Sequence, residues 1–137
     1  MIVVDTNLIT YLIVPGDRTS LAEKVFDRDS DWRSPVLWKS EFRNVMLLYH
    51  RRKLLSEDKV MEYARRAEKL MLGCEYDVAA KAVMELAFQS KCSAYDCEFV
   101  ALARELKAPL VTSDAQVLKE FPSTAITMEN FVRSKTR

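Results

Sequence analysis

Four acidic residues stand where the sequence changes character. Asp5 follows the apolar run Ile2-Val3-Val4, and Asp114 closes a similar run, Leu110-Val111-Thr112-Ser113. Glu41 and Asp96 each begin a stretch with helical periodicity. At about 100° per residue, Val45 and Leu48 fall on the side of Glu41, and Val100 and Ala103 on that of Asp96. Lys39, Arg43 and His50 then fall on the outer face of the Glu41 helix. Each acid has a bland explanation. Asp is a favoured cap where a strand turns into a helix, Ser93-Ala-Tyr-Asp96 has capping-box spacing, and Glu41 is an ordinary first-turn acid. Capping does not explain why two acids at strand ends and two at inward-facing helix starts should meet at one sheet edge. Several carboxylates remain ionised together only beside a compensating cation. An oxygen-only donor set selects Mg²⁺ or Mn²⁺. Such ions hold phosphate oxygens, lower the pKa of water and stabilise a leaving oxygen, which points to phosphodiester hydrolysis.

The elements that must position these acids follow from the pattern. Ile2-Val3-Val4 is a continuous β-branched run, expected of a strand buried on both faces. Asp5-Thr6-Asn7 reads as a polar turn before a short helix over 8–14, closed by Pro15-Gly16-Asp17. Ser20 and Glu23 have capping-box spacing for a second helix. A strand follows over 32–37, with Pro35 at its end or on an edge. Helices are expected over 38–53, from Ser56 to about 72 with Gly73 as terminator, over 78–89, from Ser93 to 107, and over 116–121. Short strands are expected over 74–76, 110–112 and 125–127. This alternation predicts an α/β fold of three layers, α/β/α, around a mostly parallel sheet of four to five strands. The acids would lie beyond the carboxyl ends of its strands, where open parallel sheets bind ligands.

Composition bounds the alternatives. The 137 residues, 49% hydrophobic and 30% charged, suit one domain over 1–137 with a true core. The formal net charge of +1 means that any nucleic-acid surface is a local patch. Only Gly16 and Gly73 are present, too few and too far apart for a phosphate-cradling loop, so no nucleotide cofactor is expected. Cys74, Cys92 and Cys97, an odd number without paired spacing, read as reduced thiols of a cytoplasmic protein. A single histidine, His50, excludes regular zinc-ligand spacing. No apolar run is long enough to cross a membrane, and no secretory signal is evident.

Taken together, Val3-Val4-Asp5-Thr6-Asn7, Ser40-Glu41-Phe42, Tyr95-Asp96-Cys97-Glu98-Phe99-Val100-Ala101-Leu102-Ala103 and Leu110-Val111-Thr112-Ser113-Asp114 resemble, in order, the four acidic motifs of PIN domains. Within that family the chain is similar to VapC-type toxins. The one departure is Cys97, where the motif commonly carries alanine. The resemblance implies a PIN-like fold and a Mg²⁺- or Mn²⁺-dependent ribonuclease leaving 5′-phosphate and 3′-hydroxyl ends. Asp5, Glu41, Asp96 and Asp114 would bind metal directly or through water. Thr112 would position water or substrate, with Thr6 and Asn7 supporting the site. It also implies a homodimer and a small VapB-type antitoxin partner.

Arg51-Arg52-Lys53 is the basic cluster expected to contact RNA phosphates. Arg65, Arg66 and Lys69 alternate with acids and read as a solvated face, and Arg133, Lys135 and Arg137 form a basic tail. Leu47, Leu48, Tyr49, Leu54 and Leu55, with Met61, Leu70 and Met71, offer apolar surface for the core or for a partner. A haloacid-dehalogenase phosphatase would need a second Asp where Asn7 stands. A receiver domain would need a lysine that Lys107 and Lys119 are poorly placed to supply. A housekeeping RNA-processing PIN nuclease and a non-catalytic PIN-like scaffold remain as alternatives.

Overall fold

The computed structural model describes residues 1–134. Five strands form one parallel sheet: β1 (Ile2–Val4), β2 (Trp32–Pro35), β3 (Glu75–Tyr76), β4 (Leu110–Val111) and β5 (Ala125–Ile126), in the order β3-β2-β1-β4-β5. Eight helices are described: α1 (Thr6–Ile13), α2 (Thr19–Arg28), α3 (Leu37–Arg51), α4 (Glu57–Met71), α5 (Ala80–Phe88), α6 (Ala94–Leu106), α7 (Ala115–Glu120) and α8 (Met128–Arg133). The expected three-layer α/β/α arrangement is present. α6 packs on β1, β2 and β4 and is backed by α5, while α1, α2, α3, α4 and α8 pack on one another as the other helical layer. No helix among the described residues is long and apolar enough to cross a membrane.

All three residues of β1 are buried, because β2 and β4 flank it and helices cover both faces. The chain builds outward from β1 to β2 and β3, then returns to add β4 and β5 on the other side. The direction of growth therefore reverses between β1 and β4. Beyond the carboxyl ends of two such strands, the helices that follow them diverge and leave a crevice.

Local capping chemistry fixes most helix starts. Asp5, Ser56, Ser93, Asp114 and Thr127 each accept a backbone N–H from three residues ahead. Some helix ends use left-handed residues. Lys107 (φ 54°) closes α6, with its N–H donated to Arg104 O and the Ala108 N–H to Ala103 O. Gly73 (φ 79°) follows α4.

Three expectations need correction. Asp5-Thr6-Asn7 is not a free turn: Asp5 is the cap itself, so Thr6 and Asn7 are already helical. Ser20 caps nothing. α2 begins at Thr19, whose hydroxyl accepts the Gly16 N–H at 3.0 Å and donates to Tyr11 O at 2.7 Å, fixing the turn one residue earlier. The basic tail is in part a helix, since α8 buries Met128 and Phe131 beside α2. Six residues are too few for periodicity to register. Arg133 ends α8; Lys135 and Arg137 lie outside the described residues.

Candidate functional site

The four acids arrive from four elements. Asp5 leaves β1, Asp114 follows β4, Glu41 rides the first turns of α3 after β2, and Asp96 sits in the first turn of α6. All four line one cleft of about 230 Å³, with Thr6, Asn7 and Thr112 and an apolar wall of Val45, Phe99 and Val117. No Lys, Arg or His is among its described lining residues.

Asp5 is the most firmly held. Its Oδ1 accepts the Leu8 N–H at 3.0 Å. Its Oδ2 accepts the Thr112 hydroxyl at 2.5 Å and the Ser113 N–H at 3.3 Å. Burial nevertheless dominates, pushing the carboxyl up to about 6; these hydrogen bonds oppose the shift and the charge of Asp114 adds to it. Glu41 Oε1 accepts the Thr6 hydroxyl at 2.6 Å. Burial raises its pKa, Thr6 opposes and Asp96 adds. Asp96 is raised by burial and then by Asp114, against hydrogen bonds from Ser93. Asp114 uses Oδ1 to cap α7 through the Val117 N–H at 2.9 Å. Neighbouring acids on separate elements thus add to the rise of Asp5, Glu41 and Asp96, while caps and hydroxyls fix where they stand.

Thr112 is 1% exposed, and its hydroxyl is committed. It donates to Asp5 and accepts the Asp114 N–H at 3.0 Å. One hydroxyl therefore ties the acid after β1 to the acid after β4. Thr6 is buried beneath Glu41, whereas Asn7 is exposed at the cleft margin, 3.4 Å from Ser113 Oγ.

The helical positions of the two inward acids differ. On α6, Val100 and Ala103 are buried as expected, which turns Asp96 inward. On α3, the buried stripe is Trp38, Phe42 and Met46. Leu48 is exposed and Val45 half-buried, so Glu41 lies beside the core stripe and faces the cleft. Lys39 and His50 are not wholly outward either: Lys39 pairs with Glu75 at 3.4 Å, and a His50 ring nitrogen lies 2.9 Å from Leu55 O.

Two further residues of the quoted motifs bear on the site. Ser113 contributes a backbone N–H, which no residue type encodes. Glu98 is half-buried, and burial and the charge of Glu41 raise its pKa. It follows Asp96 by two residues, an offset that points to a different side of a helix.

The donor set is chemically suited to a hard cation: among the described lining residues there are four carboxylates, no competing thiol or imidazole and no basic side chain to neutralise them. Among the described residues, however, no three His, Cys, Asp or Glu side chains stand close enough to enclose an ion as they are set. Asp5 and Asp114 are each committed in part to a helix cap, so binding would require side-chain rotation about fixed backbone positions.

Arg51, Arg52 and Lys53 are exposed at the end of α3 and line no part of this cleft. Of the apolar set, Met71 is core, Leu47, Leu48, Leu54 and Met61 are exposed, and Tyr49, Leu55 and Leu70 are intermediate.

A family model described as "PIN domain" matches residues 2–122. The chain is 30% identical over 125 residues to Ribonuclease VapC3 of Pyrobaculum aerophilum, a match spanning 89% of this chain and 95% of that protein. Among solved structures, the crystal structure of PAE2754 from Pyrobaculum aerophilum aligns with a TM-score of 0.70 over 96% of this chain and 92% of that chain. At 18% identity, that likeness concerns the fold alone.

Proposed function

The chain belongs to the PIN-domain family, and from that premise we propose that it is a metal-dependent endoribonuclease, the toxin of a VapBC-type pair. The supporting observation is the cleft itself, which is lined by Asp5, Glu41, Asp96 and Asp114 and by no basic side chain. These four would hold Mg²⁺ or Mn²⁺, directly or through water. A bound ion of this kind lowers the pKa of water, binds phosphate oxygens and stabilises the leaving oxygen.

The protein's own part is positioning. Thr112 orients the Asp5 carboxylate and anchors the Asp114 backbone with one hydroxyl. Thr6 steers Glu41, a cleft-lining residue, through a bond to its Oε1. Asn7 and the Ser113 hydroxyl give the rim neutral polar groups that can meet phosphate without adding repulsion. Arg51, Arg52 and Lys53 would attract RNA from outside the cleft, since the acidic opening alone repels it.

The chain would act in the cytoplasm as a homodimer restrained by a VapB-type antitoxin. The exposed Leu47, Leu48 and Met61 on α3 and α4 support a partner-covered face.

Cleavage of RNA by the purified protein tests the reading. Activity should require Mn²⁺ or Mg²⁺, stop with chelator and leave 5′-phosphate ends. Asp96→Asn and Glu41→Gln should each lower it by at least a hundredfold while circular dichroism stays unchanged. Full Mn²⁺-dependent activity in Asp96→Asn, against a clean mock preparation, would contradict it.

A further inference from the structure

A second hollow, of about 470 Å³, opens beside the acidic cleft; its wall includes Tyr11, Arg18, Tyr49, Leu54 and Leu55. That volume is within the range of small-ligand sites. Tyr11 connects the two spaces. Its hydroxyl lies 3.4 Å from Ser113 Oγ, the same oxygen that Asn7 Nδ2 meets at 3.4 Å from within the cleft. Asn7 and Tyr11 are one turn apart on α1, about 6 Å along its axis. The hollow therefore begins one helical turn from the cleft residue Asn7.

Its chemistry suits a flat, unpaired base. The Arg18 guanidinium lies 5.6 Å from the centroid of the Tyr11 ring, so two planar groups of the kind on which bases stack stand together. Arg18 is otherwise tied only loosely, at 3.5 Å, to Glu129, and both side chains are well exposed. Leu54 is 66% exposed although apolar. The turn that puts it there is specific. Lys53 adopts φ 62°, the Lys53 N–H bonds His50 O and the Leu54 N–H bonds Tyr49 O, each at 2.9 Å. This closing motif of α3 delivers Leu54 and Leu55 to the hollow, immediately after Arg51, Arg52 and Lys53 in the chain. All three basic residues are exposed, and none forms an ion pair among the described residues. Asp17, exposed, is the one acid among the lining residues.

We propose that this hollow seats one unpaired nucleobase of the RNA, that of the nucleotide next to the scissile phosphate, stacked on Tyr11 and Arg18 with Leu54 closing one side. The inference rests on the ribonuclease reading. Continuity through Ser113 favours RNA over a protein segment, because Tyr11 meets the same Ser113 oxygen as the cleft residue Asn7, and the exposed Arg51, Arg52 and Lys53 directly precede Leu54 and supply charge for phosphates.

The test uses a labelled single-stranded oligoribonucleotide and versions carrying one abasic ribose at each successive position. Binding by anisotropy and, where cleavage occurs, kcat/KM are both read. Removing the base next to the mapped cut should weaken wild type roughly 5- to 150-fold, the range for one stacked base. That penalty should vanish in Tyr11→Ala, and in Leu54→Ser, whose exposed side chain leaves folding intact. Tyr11→Ala should leave the salt dependence of binding unchanged, whereas replacing Arg51, Arg52 and Lys53 by alanine should flatten it. Equal abasic penalties in wild type and both variants, or none at any position, would overturn the subsite; the latter is expected if the hollow serves a protein partner. Absence of cation-dependent cleavage would instead sink the ribonuclease reading, and the binding measurements would still judge the subsite.

Discussion

Removing the charge of Asp5 should stabilise the metal-free protein, and the effect should grow with pH. The Asp5 carboxyl is raised from 3.8 to about 6, chiefly by burial. The folded state therefore holds this proton more tightly than the unfolded chain. A raised carboxyl contributes stability that is complete below about pH 4 and is lost as pH rises through about 6. A shift of about 2 units corresponds to about 3 kcal/mol. Glu41 and Asp96 are shifted in the same direction and add to the loss. Asn at position 5 keeps an oxygen to accept the Leu8 N–H and caps helices well; its amide nitrogen cannot accept from Thr112 and Ser113 as Oδ2 does, a loss independent of pH, so the change with pH isolates the ionisation. Urea unfolding of wild type and Asp5→Asn in chelator, from pH 4 to pH 8, measures it. The stability of the variant relative to wild type should rise by about 3 kcal/mol across that range. Saturating Mn²⁺ should restore wild type selectively and cancel most of the difference at pH 8. A difference that stays flat with pH would refute the argument that Asp5 is buried at the cost of its charge.

Thr112→Val should cost about 1–3 kcal/mol, because the Asp114 N–H loses its buried acceptor. It should also move the acidic limb of the pH–rate profile upward, since the bond that lowers the Asp5 pKa is gone; Thr112→Ser should reverse both in urea unfolding and rate profiles. Lys107→Gly should raise stability by about 1 kcal/mol by relieving the left-handed backbone that closes α6, seen as a higher urea midpoint with an unchanged slope. Leu47→Ser combined with Met61→Ser should shift the proposed dimer toward monomer in sedimentation at micromolar concentration, without loss of helix content, because both side chains are already exposed.

The fold was legible where sequence and burial share a period. Ile2-Val3-Val4 has no polar member because it is the central strand, and Ser56 and Ser93 announce their helices by local hydrogen bonds that depend on no distant contact. α8 was not legible, since Met128 and Phe131 gain meaning only from α2, a hundred residues away in sequence. The start of α2 was misread because the Thr19 hydroxyl answers to Gly16 and Tyr11, a turn that outweighs the nearby Ser20 pattern. For the site, strand ends and helix starts were enough to bring all four acids to one cleft. What type and spacing could not carry was the wiring. The placement of Glu41 relied on Leu48 being core, yet Leu48 is exposed and the cleft-facing direction comes from Thr6 below it. The inward burial of the Thr112 hydroxyl between Asp5 and Asp114 depends on β1 and β4 being neighbours, a fact of topology.

The central claim is that these carboxylates form a cation site built around Asp5, and calorimetric titration with Mn²⁺ near pH 6 tests it most directly. Run in two buffers of different ionisation heat, it reports both binding and released protons. Wild type should bind Mn²⁺ and release about half a proton from Asp5 alone, because that carboxyl is then about half protonated. Asp5→Asn should bind at least tenfold more weakly with that release lost, and Asp96→Asn should also bind more weakly. Absence of Mn²⁺ binding by wild type at millimolar concentration, or equal affinity and proton release in Asp5→Asn, would contradict the account.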